Sequence, residues 1–144
     1  MGNCIVVVQF DLPKRTEEQA VKGGTSTAPI YRGLAAKGLI RKDYLNGDGG
    51  TGGVYLWESR ACAEAWFTEE RIVELTSRFG IRPRLTWYDT HVTVDNLKGE
   101  TRVNGVPPDT RSTRRVPAAA HSSGRRRARS HRESLRFALV SRIF

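Results

Sequence analysis

The sequence predicts an α+β domain whose four strands form one antiparallel sheet. Residues 4–10 are a run rich in β-branched side chains, which is typical of a buried central strand. Residues 38–58 contain two short strand-like segments separated by Asn-Gly, Asp-Gly and Gly-Gly pairs, whose glycines supply the positive φ angles of a tight hairpin. Residues 59–67 change at once to helical spacing. A strand-rich centre flanked by helices defines the class.

The first helix is predicted to follow the first strand directly. Pro13 ends the strand, and Thr16-Glu-Glu-Gln19 has the capping-box pattern with Thr16 as N-cap. Gly23-Gly24 and Pro29 weaken this helix, and we expect Pro29 to kink it because proline removes a backbone hydrogen bond.

Two further helices and a last strand complete the pattern. Ser59 is suited to cap one short helix, and Thr68 begins the next, with acidic residues in its first turn. Apolar residues then recur at helical spacing up to Gly80, which is typical of a C-terminal cap. Residues 84–94 alternate and are rich in Thr, Val and aromatic residues, which predicts one continuous strand.

The predicted order β-α-β-β-α-β is that of the ferredoxin-like fold. Its antiparallel sheet carries helices on one face only, and we expect the other face, with residues such as Val6 or Val8, to need a cover. The sheet of a second subunit can provide that cover. The sequence therefore predicts a homodimer.

Charge divides the chain close to residue 98. Residues 1–100 carry 13 basic and 13 acidic side chains, whereas residues 101–144 carry 11 Arg and two acids, so the whole net charge of +9 lies at the C-terminal end. We predict a folded domain over residues 1–98 and a low-complexity, disordered basic tail over residues 99–144.

The origin of the tail stays open between three interpretations. The tail is interpreted either as a disordered extension, or as the product of an altered reading frame, or as an arm that binds nucleic acid. The last interpretation is disfavoured because no aromatic residue is interleaved with residues 125–129.

The compartment expected from the sequence is the cytoplasm. The two cysteines, Cys4 and Cys62, form no CxxC motif and are expected to be reduced thiols. The apolar run at residues 5–8 is too short for a signal peptide or a membrane span, so we expect no membrane contact.

The sequence has no strong catalytic signature. None of its three histidines has metal-ligand spacing, and the hairpin glycines lack the following Lys of a phosphate-binding loop, so we predict no metal. What remains is a high density of Tyr and Trp. Tyr55 and Trp57 share one face of their strand, and Trp87 and His91 share one face of theirs. This pattern favours either core and interface packing or an apolar pocket for a flat organic ligand.

Four segments resemble the motifs of one known family. They are Ser26-Thr-Ala-Pro-Ile-Tyr31, Gly38-Leu-Ile-Arg-Lys42, Gly52-Gly-Val-Tyr-Leu-Trp57, and Tyr88-Asp-Thr90 followed by Val94-Asp-Asn96. Over about residues 4–98 the chain resembles the YdhR-like monooxygenase family. That family belongs to the dimeric α/β-barrel superfamily, together with the antibiotic-biosynthesis monooxygenases.

The resemblance implies a homodimer whose two sheets form a barrel, and an oxygenase that uses no metal, haem or flavin. In the related antibiotic-biosynthesis enzymes the deprotonated substrate reduces O₂ directly. The protein then supplies an apolar pocket, a base, and a donor to the developing oxyanion. The expected partners are a small aromatic or hydrophobic substrate and O₂, and no cofactor is expected.

Candidate site residues follow from position within this scheme. We expect a pocket around Trp57 and Trp87. The assignments are Tyr31, Trp57, Trp66 and Trp87 to substrate binding, and His91 and Tyr44 to catalysis. Two rival functions are a non-catalytic or stress-related barrel that keeps the pocket, and nucleic-acid binding through the tail.

Overall fold

A computed structural model of the chain describes residues 2–107. These residues form a four-stranded antiparallel sheet, three α-helices and a separate two-stranded hairpin. The predicted α+β class with an antiparallel sheet is therefore confirmed. Residues 108–144, which include most of the predicted basic tail and the Arg-rich run at 125–129, lie outside the described residues.

The sheet places the first strand of the chain at its centre. Its strands are β1 (Asn3–Phe10), β2 (Leu39–Gly47), β3 (Gly50–Trp57) and β4 (Arg84–Thr90), in the order β2-β3-β1-β4. All neighbouring pairs are antiparallel. The helices are α1 (Glu17–Gly33), α2 (Arg60–Trp66) and α3 (Glu69–Phe79), and a short 3₁₀ helix (Leu34–Lys37) connects α1 to β2.

The helix ends follow the capping signals in the sequence. The Thr16 hydroxyl accepts the backbone N–H of Gln19 at 3.2 Å, and the Gln19 side chain accepts the N–H of Thr16 at 3.1 Å, which completes the predicted capping box. Ser59 caps α2, and Thr68 caps α3. Helix α1 continues through Pro29.

One face of the sheet carries the hydrophobic core. Cys4, Val6, Val8 and Phe10 are buried in a single cluster that includes side chains from all three helices. The expectation that Val6 or Val8 lies on the uncovered face was therefore wrong. Because side chains alternate along a strand, residues 5 and 7 point to the other face, where both are only partly buried.

The predicted strand over residues 84–94 is interrupted at His91. β4 ends at Thr90, and β5 (Val92–Asp95) pairs with β6 (Glu100–Val103) in a second, two-stranded sheet. The Asp95 carboxylate accepts the backbone N–H groups of the next turn at 3.0 and 3.1 Å, which closes this hairpin. The predicted domain boundary at residue 98 falls inside the β5–β6 hairpin.

At Gly52 the backbone of β3 lies very close to the backbone of β1. Its φ is +150°, and a Cβ at this position would collide with the carbonyl oxygen of Val8. We expect Gly52→Ala to lower the free energy of unfolding by about 2–4 kcal/mol, because the backbones must separate. Gly47→Ala is the matched control, since its Cβ would meet no atom within 4 Å. Urea titration followed by Trp fluorescence measures both, and equal losses would contradict the close approach.

Candidate functional site

A cavity of about 150 Å³ lies between α1, α3 and the helix-covered face of the sheet. We call it the α1 cavity. Its lining combines small residues of α1 and β3 with five aromatic and three basic side chains: Phe10, Tyr31, Tyr44, Tyr55, Phe79, Arg15, Lys42 and Arg78. An apolar enclosure with a few polar groups is the usual form of a small-molecule site.

Lys42 is the most unusual member of this lining. It pairs with Tyr55 across β2 and β3, and strand alternation puts Tyr44 on the same face. Its Nζ lies 3.3 Å from the ring centroid of Tyr31, 4.0 Å from that of Tyr44, and 4.7 Å from that of Tyr55. We call these three rings the tyrosine cluster. The amino group is thus surrounded by aromatic faces.

Two glycines make room for this arrangement. A Cβ at Gly24 of α1 would lie 3.6 Å from the Tyr44 ring, and one at Gly53 of β3 would lie 3.0 Å from both Lys42 Cε and the Tyr55 ring. The Gly23-Gly24 pair weakens α1 as a helix, yet it lets a tyrosine ring lie directly against the helix backbone.

The Tyr44 hydroxyl is tied to α1. It lies 2.7 Å from the Thr27 hydroxyl, and Thr27 Oγ1 also lies 3.2 Å from the carbonyl oxygen of Gly23. Either hydroxyl can donate to the other, and when Thr27 donates, the Tyr44 O–H remains available to another acceptor. Burial raises the pKa of Tyr44 and, more strongly, that of Tyr55, so both phenols are neutral donors at physiological pH.

Lys42 lacks a counter-ion within the described part of the chain. No ion pair among residues 2–107 includes it. Burial lowers the pKa of Lys42 to about 7. The ring faces of the tyrosine cluster favour a higher pKa for Lys42, because aromatic faces attract a cation. The amine therefore exists in both neutral and charged forms near physiological pH, as proton transfer requires.

The α1 cavity contains two of the six predicted site residues, Tyr31 and Tyr44. Trp57 and Trp66 line a different cavity of about 400 Å³ beside α2. The ring of Phe67 lies 6.0 Å from those of both Trp57 and Trp87, so the three aromatic rings pack together beside this cavity. Trp87 is packed there rather than in the α1 cavity.

His91 lies apart from the tyrosine cluster. It is exposed in the link between β4 and β5, and its Nδ1 lies 2.9 Å from the side-chain oxygen of Asn104. The backbone N–H of Asn104 also donates to the His91 carbonyl at 2.7 Å. The two predicted catalytic residues, His91 and Tyr44, are therefore not neighbours in one site, since only Tyr44 lines the α1 cavity.

Sequence reasoning missed Lys42, although a signal was present. Lys42 precedes Tyr44 by two residues on a predicted strand, so both side chains had to point to the same face. The burial of that face at this point, which gives the amine its chemistry, follows only from the packing of α1 against β2.

Residues 2–107 contain neither a cluster of metal-ligating side chains nor a helix that could span a membrane. No group of three or more His, Cys, Asp or Glu side chains in this part of the chain is arranged to hold a metal ion. No described helix is both long enough and apolar enough to cross a membrane.

Neither a scan against models of protein families nor a search of curated proteins finds a match for this chain. The likeness to the YdhR-like monooxygenases therefore rests on the four sequence motifs alone, and membership of that family is a proposal.

Lys42 gives stability a specific pH dependence. Because its pKa is lowered to about 7 in the folded state, the unfolded chain binds more protons above that pH. Stability should therefore rise between about pH 7 and pH 10, and the full cost of burying the ammonium is present below that window. We expect Lys42→Met to raise the free energy of unfolding by about 2 kcal/mol near pH ~6, and by much less near pH ~10.

Denaturant titrations at the two pH values measure this effect. Lys22→Met is the matched control, because Lys22 is exposed on α1. Its effect should be small and independent of pH. A gain from Lys42→Met that is equal at both pH values would show that packing, and not a buried charge, is responsible.

Proposed function

We propose that this protein is a cofactor-independent monooxygenase that oxidises a small aromatic phenol or enol in the α1 cavity. The observation that carries the proposal is the position of Lys42, whose amine has no counter-ion among residues 2–107 and lies against three tyrosine rings. Such an amine is suited to remove a proton from a bound hydroxyl group.

The reaction needs only the substrate, O₂ and the side chains of the cavity. Neutral Lys42 accepts a phenolic proton, and the resulting ammonium is stabilised by the ring faces around it. The phenolate then transfers electrons to O₂, while the hydroxyl groups of Tyr44 and Tyr55 are the candidate donors to the reduced oxygen. For a hydroquinone, one oxygen atom enters the ring and the other leaves as water, which gives a hydroxyquinone.

The fold is consistent with this chemistry. We propose that the domain is ferredoxin-like and that it belongs to the YdhR-like dimeric α/β barrels. The strand order β2-β3-β1-β4 and a core on one face of the sheet support this proposal. Cys4 and Cys62 are free thiols, which supports a reducing compartment such as the cytoplasm.

Oxygen uptake with a panel of hydroquinones tests the activity. We expect consumption of O₂ above the rate of autoxidation, and we expect Lys42→Met to reduce it about a hundredfold or more, since general-base catalysis is lost. Lys22→Met removes an exposed lysine and should leave uptake unchanged.

Two results would contradict this assignment in different ways. Binding of hydroquinones without O₂ consumption would favour the non-catalytic barrel. Loss of O₂ uptake in His91→Gln, with Lys42→Met still active, would assign the role of general base to His91 in the β4–β5 link and not to Lys42.

The face of the sheet opposite the three helices supports the proposed homodimer. Ile5, Val7, Val54 and Leu56 are only partly buried there, and Tyr88 is 53% exposed. These apolar side chains lie on paired central strands and form a continuous patch. A second copy of the same face would remove this patch from water.

Val7→Glu tests the dimer. A carboxylate at the centre of the proposed interface should convert the protein to a monomer, measured by light scattering after size-exclusion chromatography. Val21→Glu, on the outer side of α1 where Val21 is 56% exposed, is the control and should leave the mass unchanged. A wild-type protein that is already monomeric would overturn the proposal.

A further inference from the structure

The size of the α1 cavity restricts its ligand. Its volume is about 150 Å³. A protein cavity of about this volume holds one benzene ring. The cavity therefore matches a single aromatic ring with small substituents better than three fused rings such as those of an anthrone.

The charge of the lining restricts the ligand further. Arg15, Lys42 and Arg78 line the cavity, and among the described lining residues there is no Asp or Glu. Neither Arg15 nor Arg78 takes part in an ion pair within residues 2–107, unlike four other arginines of the same region. Guanidinium groups without a carboxylate partner are suited to bind one from a ligand.

The backbone of Arg15 is held in place by a reciprocal pair of hydrogen bonds. Its N–H donates to the Asn46 side-chain oxygen at 2.8 Å, and the Asn46 amide donates to the Arg15 carbonyl at 3.0 Å. The guanidinium Nη1 lies 3.2 Å from the position that a Cβ of Gly23 would occupy. The absence of a side chain at Gly23 thus lets the Arg15 guanidinium lie against α1 in the wall of the cavity.

The three cations of the lining come from different elements. Lys42 lies on β2, Arg78 lies on α3, and Arg15 precedes α1 and lies against Gly23. A ligand with a hydroxyl group toward Lys42 and an anionic group toward Arg15 and Arg78 matches this arrangement.

We infer that the ligand of the α1 cavity is a single-ring aromatic acid that carries a phenolic hydroxyl group. The carboxylate binds Arg15 and Arg78, and the hydroxyl group faces Lys42 and the tyrosine cluster. This inference rests on the proposed function for the reaction of that hydroxyl group, but its binding test is independent of turnover.

Two probes with the same ring test the inference without oxygen. Gentisate is a hydroquinone bearing a carboxylate, and gentisyl alcohol has a neutral hydroxymethyl group in its place. Under anaerobic conditions, isothermal titration calorimetry should show gentisate binding at least about tenfold more tightly, as expected for a charge-assisted hydrogen bond. Equal affinities, or no binding of gentisate at millimolar concentration, would overturn the inference.

Three variants locate the preference. Arg15→Gln and Arg78→Gln should each weaken gentisate binding about tenfold and leave gentisyl alcohol unaffected. Arg82→Gln is the control, because Arg82 is paired with Glu69 at 2.8 Å outside the cavity. An equal loss in Arg82→Gln would mean that the general surface charge attracts the acid, which would also overturn the inference. Circular dichroism establishes that each variant is folded.

Oxygen uptake separates this inference from the proposed function. Arginine-dependent binding of gentisate without O₂ consumption would support the aromatic acid as the ligand and contradict the oxygenase activity. Oxygen consumption with a neutral hydroquinone, without a preference for gentisate, would support the oxygenase activity and contradict the aromatic acid as the ligand.

Discussion

The alternation of side chains along β1 is the constraint on which the rest of the structure depends. Cys4, Val6, Val8 and Phe10 point to one face, and the three helices contribute the other half of the core on that face. Because β1 pairs with both β3 and β4, the same alternation extends across the sheet and decides the direction of Tyr55, Trp57 and Trp87. A shift of the β1 pairing register by one residue would turn these apolar side chains to the opposite face of the sheet, away from the helices.

The α1 cavity arises where this core is incompletely filled. Near Trp57 and Trp87 the ring of Phe67 packs against both indoles, and the Trp57 indole N–H is buried without a hydrogen-bond partner among the described residues, which costs about 1–3 kcal/mol. At the α1 cavity, glycines of α1 and β3 leave space, and Lys42 enters it.

Lys42 combines a cost in stability with the proton transfer that we propose for it. Burial of an amine without a counter-ion disfavours its charged form, and the aromatic faces recover part of that loss. A lysine selected for stability alone would be exposed or paired with a carboxylate. The conflict between local stability and reactivity at this position is typical of a functional site.

Local signals in the sequence determined the helices and strands almost completely. The capping box at Thr16, the hairpin glycines and the cap at Gly80 each act within a few residues, so no tertiary information was needed to find them. The strand boundary at His91 and the hairpin up to residue 103 were missed, because the turn after Asp95 is made by one side chain that accepts two backbone N–H groups. Tyr31 and Tyr44 were recognised as candidates from their positions within the scheme that the family resemblance implies. Only the tertiary structure decided that Lys42 is half-buried against both rings and that His91 is not in the same cavity, because burial depends on which elements pack across the sheet and not on neighbours in the chain.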